Sequence, residues 1–216
     1  MTKQEVLQKI HDVGILPVVR AASAEEATRV IEAIEAGGIN IFEVTMTVPD
    51  AVSLIKDLTA RFGETALIGA GTVLTAEQAN ECIAAGAKFI ISPALNLETI
   101  KICNENDVAV MPGALTPTEI VTAWNAGADF VKVFPASAMG GASYLKSLKA
   151  PLPHIKLVPT GGVSLETAAD FIRAGAEAIG VGGDLVNLQA LRENRADSIT
   201  TTARRYVEIV KEARGF

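Results

Sequence analysis

Lys132 is the residue of this chain best placed to do covalent chemistry. It lies in Asp129-Phe130-Val131-Lys132-Val133-Phe134-Pro135. The alternation reads as a buried strand with Phe130, Lys132 and Phe134 on one face and Val131 and Val133 on the other. An ammonium group on a buried face costs on the order of several kcal/mol unless it is paired or loses its proton. A lysine that sheds its proton near neutral pH is an amine nucleophile that forms Schiff bases with carbonyls. The same strand also accommodates a structural lysine paired with a buried carboxylate. Glu43, in Ile41-Phe42-Glu43-Val44-Thr45, shares its strand face with Ile41 and Thr45 and is placed to be that carboxylate. Beside an amine it is either a static counter-ion or a group that shuttles protons.

Strand-length apolar runs alternate with amphipathic helical stretches along the chain. The expected strands are Leu16–Arg20, Ile39–Val44, Ala66–Gly69, Phe89–Ser92, Val108–Pro112, Phe130–Phe134, Lys156–Thr160 and Ala178–Gly182. About eight strand–helix units in one chain point to a single (β/α)8 TIM barrel, here with an extra N-terminal helix. Helix starts are marked by Ser23 with Glu26, Thr75 with Gln78, and Thr116-Pro117 with Glu119; Ser164 before Glu166 is read as another. Ala36-Gly37-Gly38, Ala85-Gly86-Ala87, Ala126-Gly127-Ala128 and Ala174-Gly175-Ala176 form a weak repeat. Each ends a helix where glycine supplies a left-handed turn, so the repeat speaks for architecture alone. An open doubly wound sheet would call for a Gly-rich loop after the first strand, where the chain instead reads Arg20-Ala21-Ala22-Ser23.

In such a barrel, ligands bind at the C-terminal ends of the strands. Those ends carry Arg20, Glu43, Thr45, Thr47, Thr72, Ser92-Pro93, Lys132, Thr160-Gly161-Gly162 and Gly182-Gly183-Asp184. The glycine pairs fall after the seventh and eighth expected strands, a recurrent phosphate site built from backbone N–H groups and a helix N-terminus.

Composition bounds the remaining possibilities. With 216 residues, 49% hydrophobic content and no linker-like stretch, residues 1–216 read as one domain. A net charge of -6 and no basic stripe argue against nucleic acid as partner. The polar amphipathic start and the lack of a membrane-length apolar run lead to an expectation of a cytoplasmic protein with no membrane partner. Cys82 and Cys103 are far apart and fit no CxxC or zinc spacing, so they read as free thiols of a reducing cytoplasm, and His11 and His154 have no second ligand at metal spacing, so no metal site is expected.

Taken together and in this order, Phe42-Glu43-Val44-Thr45, Gly69-Ala70-Gly71-Thr72-Val73-Leu74, Ile91-Ser92-Pro93, Val131-Lys132-Val133-Phe134-Pro135-Ala136 and Pro159-Thr160-Gly161-Gly162-Val163 resemble the 2-keto-3-deoxy-6-phosphogluconate and 4-hydroxy-2-oxoglutarate aldolases. The resemblance covers essentially the whole chain. It implies a class I carbon–carbon lyase that needs no cofactor, acts on small 2-keto acids and aldehydes, and assembles as a homotrimer. Position by position, it makes Lys132 the Schiff-base lysine and Glu43 the acid/base. It makes Thr72 part of the pyruvate side, Arg20 a substrate contact, and Thr160, Gly161 and Gly162 the phosphate side; Pro93, within a matching motif, and the Gly182-Gly183 turn read above are counted as substrate-binding with them. Two positions depart from the pattern. Thr47 stands where many members have an arginine for the pyruvate carboxylate, which nominates Arg20 as the substitute cation. Asp184 stands where some members have a phosphate-binding serine; a carboxylate there repels phosphate unless it turns away to cap the short helix that follows. The implied reaction is reversible cleavage of 2-keto-3-deoxy-6-phosphogluconate to pyruvate and glyceraldehyde 3-phosphate, with 4-hydroxy-2-oxoglutarate as a second substrate. The alternatives are a phosphogalactonate-type aldolase, a phosphosugar isomerase or synthase barrel in which Lys132 acts only electrostatically, and a non-catalytic barrel acting in assembly with Lys132–Glu43 as a buried pair.

Overall fold

All paired strands in this chain run parallel, as strict strand–helix alternation requires. The computed structural model describes residues 1–63 and 65–215. It runs α1 (Lys3–Val13), β1 (Ile15–Val19), α2 (Ala24–Glu35), β2 (Ile41–Thr45), α3 (Ala51–Phe62), β3 (Leu67–Gly71), α4 (Ala76–Ala84), β4 (Phe89–Ile91) and α5 (Leu97–Glu105). It continues with β5 (Ala109–Met111), β6 (Gly113–Ala114), α6 (Pro117–Asn125), β7 (Val131–Val133), a 3₁₀ turn at Ala136–Met139, α7 (Ala142–Lys149), β8 (Leu157–Pro159), α8 (Ala168–Arg173), β9 (Ile179–Val181), α9 (Leu188–Arg192) and α10 (Ala196–Arg214).

Strands β5-β4-β3-β2-β1-β9 form one curled sheet and β6-β7-β8 a second. A parallel bridge between Thr160 and Gly180 joins β8 to β9. On the other side the N–H of Asp129 donates to Val110 O at 3.1 Å, and that of Lys132 to Pro112 O at 2.9 Å. Each expected strand is present, with ends displaced by a residue or two. The fifth is interrupted at Pro112: β5 pairs with β4 before it, and β6 pairs with β7 after it. Arg20 falls just beyond β1 rather than inside it.

The period-two pattern sorts the side chains. Leu16, Ile41, Leu67, Phe89, Phe130 and Val158 fill a cluster inside the curl, while Val19, Val44, Val131 and Val133 join the larger core under the helices. Helix α1 adds Val6 and Ile10 to the inner cluster and is pinned by Lys3, whose ammonium lies 2.9 Å from both Asp129 and Asn104 oxygens. Glycines at the helix ends adopt the left-handed backbone expected of them, with φ of 96° at Gly38 and 100° at Gly86. One helix start differs from expectation. The Ser164 side chain does not cap α8, which begins only at Ala168: its carbonyl accepts from the Ala168 N–H at 2.9 Å, while its own N–H donates to Thr167 Oγ1 at 2.9 Å within the preceding turn. Among the described residues, no helix is long and apolar enough to cross a membrane.

Candidate active site

Strand register brings the two chemical residues to the same level of the curl. Glu43 pairs with Val18 and Gly69 on its flanking strands, and Lys132 with Gly113 and Val158. The side chains meet across the interior: Lys132 Nζ lies 3.6 Å from Glu43 Oε1, with the side chains 4% and 2% exposed. That separation makes a charge contact but exceeds a good hydrogen bond. Among the described residues, Glu43 Oε1 has no hydrogen-bond partner. The ammonium also stands 5.3 Å from the centre of the Phe134 ring, close enough for cation–π attraction.

The space for this pair is made by glycine. A Cβ at Gly71 would overlap Glu43 Oε1, so the carboxylate occupies the volume that a side chain on β3 would fill. The next residue, Thr72, holds φ at 57°, a left-handed conformation strained for a β-branched side chain. Pro93 lies by the lysine: a Cβ at Gly113, the register partner of Lys132, would strike the Pro93 backbone. Thr45 donates its hydroxyl to Val19 O at 3.0 Å, which leaves the Thr47 hydroxyl to bond Thr45 Oγ1 at 2.7 Å. Thr47 is thus engaged within the protein.

A cavity of about 550 Å³ opens beside the pair, lined by Arg20, Phe134, Thr160, Gly161, Gly162, Gly182, Gly183 and Asp184 among others. Phe134 links it to Lys132, because the same ring touches the cavity and the ammonium. Lys132, Glu43, Thr72 and Pro93 are not among its lining residues, so the expected site divides into a buried charged pair and an open cavity beside it. Arg20 belongs to the cavity end. Strand β1 lies between β2 and β9, which brings its exposed C-terminal arginine to the glycine turn after β9. Arg20, nominated for the carboxylate half, thus lies with the glycine turns of the cavity, whose lining includes neither Lys132 nor Glu43.

The glycines there differ in kind. Gly161 and Gly162 need glycine for their own backbone, with φ of 91° and 74°. Gly182 and Gly183 have ordinary backbone, and a Cβ on either would meet only open space. A helix N-terminus contributes less than expected, since α8 starts late and α9 is short and capped by Asn187, which accepts from Ala190 N–H at 2.9 Å. Asp184 therefore caps no helix. Its Oδ2 accepts a hydrogen bond from the hydroxyl of Tyr206 on α10. Two contributors escaped the sequence reading. Tyr206 looks like one more core aromatic on an amphipathic helix, and Gly71 reads as an ordinary strand-end glycine until register places it against Glu43. Among the described residues, no group of three or more His, Cys, Asp or Glu side chains could hold a metal ion.

The chain matches the family described as KDPG and KHG aldolase over residues 6–202. It is 31% identical to a 2-dehydro-3-deoxy-phosphogluconate aldolase of Haemophilus influenzae, covering 97% of this chain and 99% of that one. It is 35% identical to the KHG/KDPG aldolase of Escherichia coli, covering 91% and 92%. Among solved structures, the KDPG aldolase of Legionella pneumophila, with pyruvate captured as a covalent carbinolamine intermediate, aligns with a TM-score of 0.85 at 30% identity, covering 92% and 96% of the two chains.

Proposed function

The chain belongs to the KDPG and KHG aldolase family, whose members are carbon–carbon lyases, and from that premise we propose that it is a class I aldolase cleaving 2-keto-3-deoxy-6-phosphogluconate to pyruvate and glyceraldehyde 3-phosphate. The observation that carries the reading is the nearly inaccessible Lys132–Glu43 pair at the strand ends. Lys132 Nζ adds to the C2 ketone to give a carbinolamine, and loss of water gives an iminium ion that acts as electron sink. Glu43 takes the proton of the C4 hydroxyl. The C3–C4 bonding electrons flow into the iminium, releasing the aldehyde and leaving an enamine. Protonation at C3 and hydrolysis free pyruvate and regenerate the amine. Glyoxylate as the aldehyde product, from 4-hydroxy-2-oxoglutarate, follows the same route.

In this reading Thr72 and Pro93 hold the pyruvate portion beside the pair. Thr160, Gly161, Gly162, Gly182 and Gly183 contact the distal portion through backbone N–H groups, and Arg20 joins them there. A complete (β/α)8 barrel with an additional N-terminal helix, spanning 1–216 as one domain, is supported by the Thr160–Gly180 bridge at one pair of sheet edges and the Asp129-to-Val110 bond at the other. A homotrimer in the cytoplasm is the assembly and location we infer. The family resemblance supports the first, and the free thiols of Cys82 and Cys103 fit the second. Incubation with pyruvate and borohydride, followed by mass spectrometry, tests the chemistry. A reduced pyruvate adduct on Lys132 is expected, and its absence would favour an isomerase or synthase barrel.

A further inference from the structure

The distal cavity holds two charged side chains, Arg20 and Asp184, and neither neutralises the other. Among the described residues no ion pair joins them, and both are exposed. Asp184 is tethered by one oxygen: Tyr206, fully buried on α10, donates its hydroxyl to Oδ2. Burial first, then the Asp184 carboxylate, raise the pKa of the Tyr206 phenol, so it remains a donor across the physiological range. A carboxylate has about four acceptor positions, and this tether uses one. Gly182 and Gly183, which directly precede Asp184, put no side chain between it and the cavity.

A phosphate dianion entering this cavity gains from Arg20 and the glycine N–H groups but meets a fixed carboxylate. A neutral hydroxylated terminus satisfies both: its oxygen accepts from Arg20 and its proton goes to Asp184. We propose that Asp184 is a specificity-determining residue that admits unphosphorylated 2-keto-3-deoxy sugar acids alongside phosphorylated ones. This rests on the aldolase reading and concerns only the aldehyde end of the substrate.

The test compares kcat/KM for cleavage of the 6-phosphorylated and the unphosphorylated sugar acid on the same protein. The unsubstituted chain is expected to distinguish them by no more than about tenfold. Asp184→Asn keeps an acceptor for Tyr206 and loses the charge, so the preference for the phosphorylated acid should rise by about tenfold or more. Asp184→Glu keeps the charge and should leave the preference nearer that of the unsubstituted chain than of Asp184→Asn. The borohydride-trapped pyruvate adduct of the unsubstituted chain reports the aldolase assignment independently. An adduct combined with a ratio unmoved by Asp184→Asn, or with a phosphate preference above about a hundredfold before any substitution, overturns the role of Asp184 and leaves the aldolase standing. Lack of the adduct overturns the reading on which it rests.

Discussion

Lys132 and Glu43 are buried together, and each makes the other tolerable. Removing one partner of such a pair strands a charge and costs about 3–5 kcal/mol, whereas replacing both by neutral groups is often close to harmless. Lys132→Met should therefore abolish turnover and the pyruvate adduct and also lower unfolding free energy by about that amount. The double variant Lys132→Met with Glu43→Gln should recover most of the stability and none of the activity. Urea denaturation of the three proteins measures both; equal stability of the single variant and the parent would mean that the pair is not charged in the resting protein. Gly71→Ala acts on the same carboxylate without touching its chemistry. The new methyl would overlap Glu43 Oε1, so the acid must move, and turnover should fall by about 10²–10⁴-fold, the range expected when acid–base catalysis is lost. Trapping of the pyruvate adduct should persist, because Lys132 is untouched. A Gly71→Ala enzyme with parental kcat would show that the observed Glu43 position is not the working one.

The elements behind these residues were legible to different degrees. Lys132 stood out because alternation alone decides which face of a strand it shares with Phe130 and Phe134, and the side-chain sorting of β7 follows that rule. Strand ends were less legible: Pro112 looks like the end of a strand, yet β6 continues beyond it on a new partner. The Ser164 reading failed because a serine followed by glutamate two residues on satisfies the pattern of a helix start, while the chain spends another turn before Ala168. Thr116 and Glu119 did form the reciprocal cap at the start of α6. Backbone N–H groups of Thr116 and Leu115 hold the Glu119 carboxyl below its usual pKa. A lowered folded-state pKa stabilises above the unfolded value and is lost as pH falls through the lowered one. Glu119→Gln should thus cost stability near neutral pH, with the gap to the parent closing as pH drops below the ordinary 4.5. Thr116→Ala should cost about 0.5–2 kcal/mol at neutral pH. Thermal melts across pH check both, and a gap for Glu119→Gln that widens on acidification would refute the cap's charge dependence.

At the scale of the whole molecule, the proposed chemistry and one of the main stabilising contacts lie at opposite ends of the curled sheet. Helix α1 closes the inner cluster at one end through Val6 and Ile10, and the Lys132–Glu43 pair and the cavity sit at the other. Ile10→Ala should destabilise by about 2–5 kcal/mol while leaving the pyruvate adduct intact. Between the two ends, Cys82 and Cys103 lie fully buried on α4 and α5, and burial pushes their thiols up to about 11 and about 12. Neither can present a thiolate at neutral pH without the helices leaving the sheet. Labelling by a thiol reagent then measures opening of the core rather than surface reactivity. In the parent, both thiols should react slowly and at one common rate. In Lys132→Met, a loss of about 3 kcal/mol raises the open population, and with it the labelling rate, by about a hundredfold when reclosing outpaces the reagent. Both cysteines should accelerate together, although neither touches the substituted residue, because α4 and α5 pack on β3, β4 and β5, whose inner side chains share one cluster with Phe130 and with Val158, the register partner of Lys132. If Cys82 and Cys103 instead label at different rates in either protein, the helices open as separate units, and the buried charge pair stabilises only its own part of the fold.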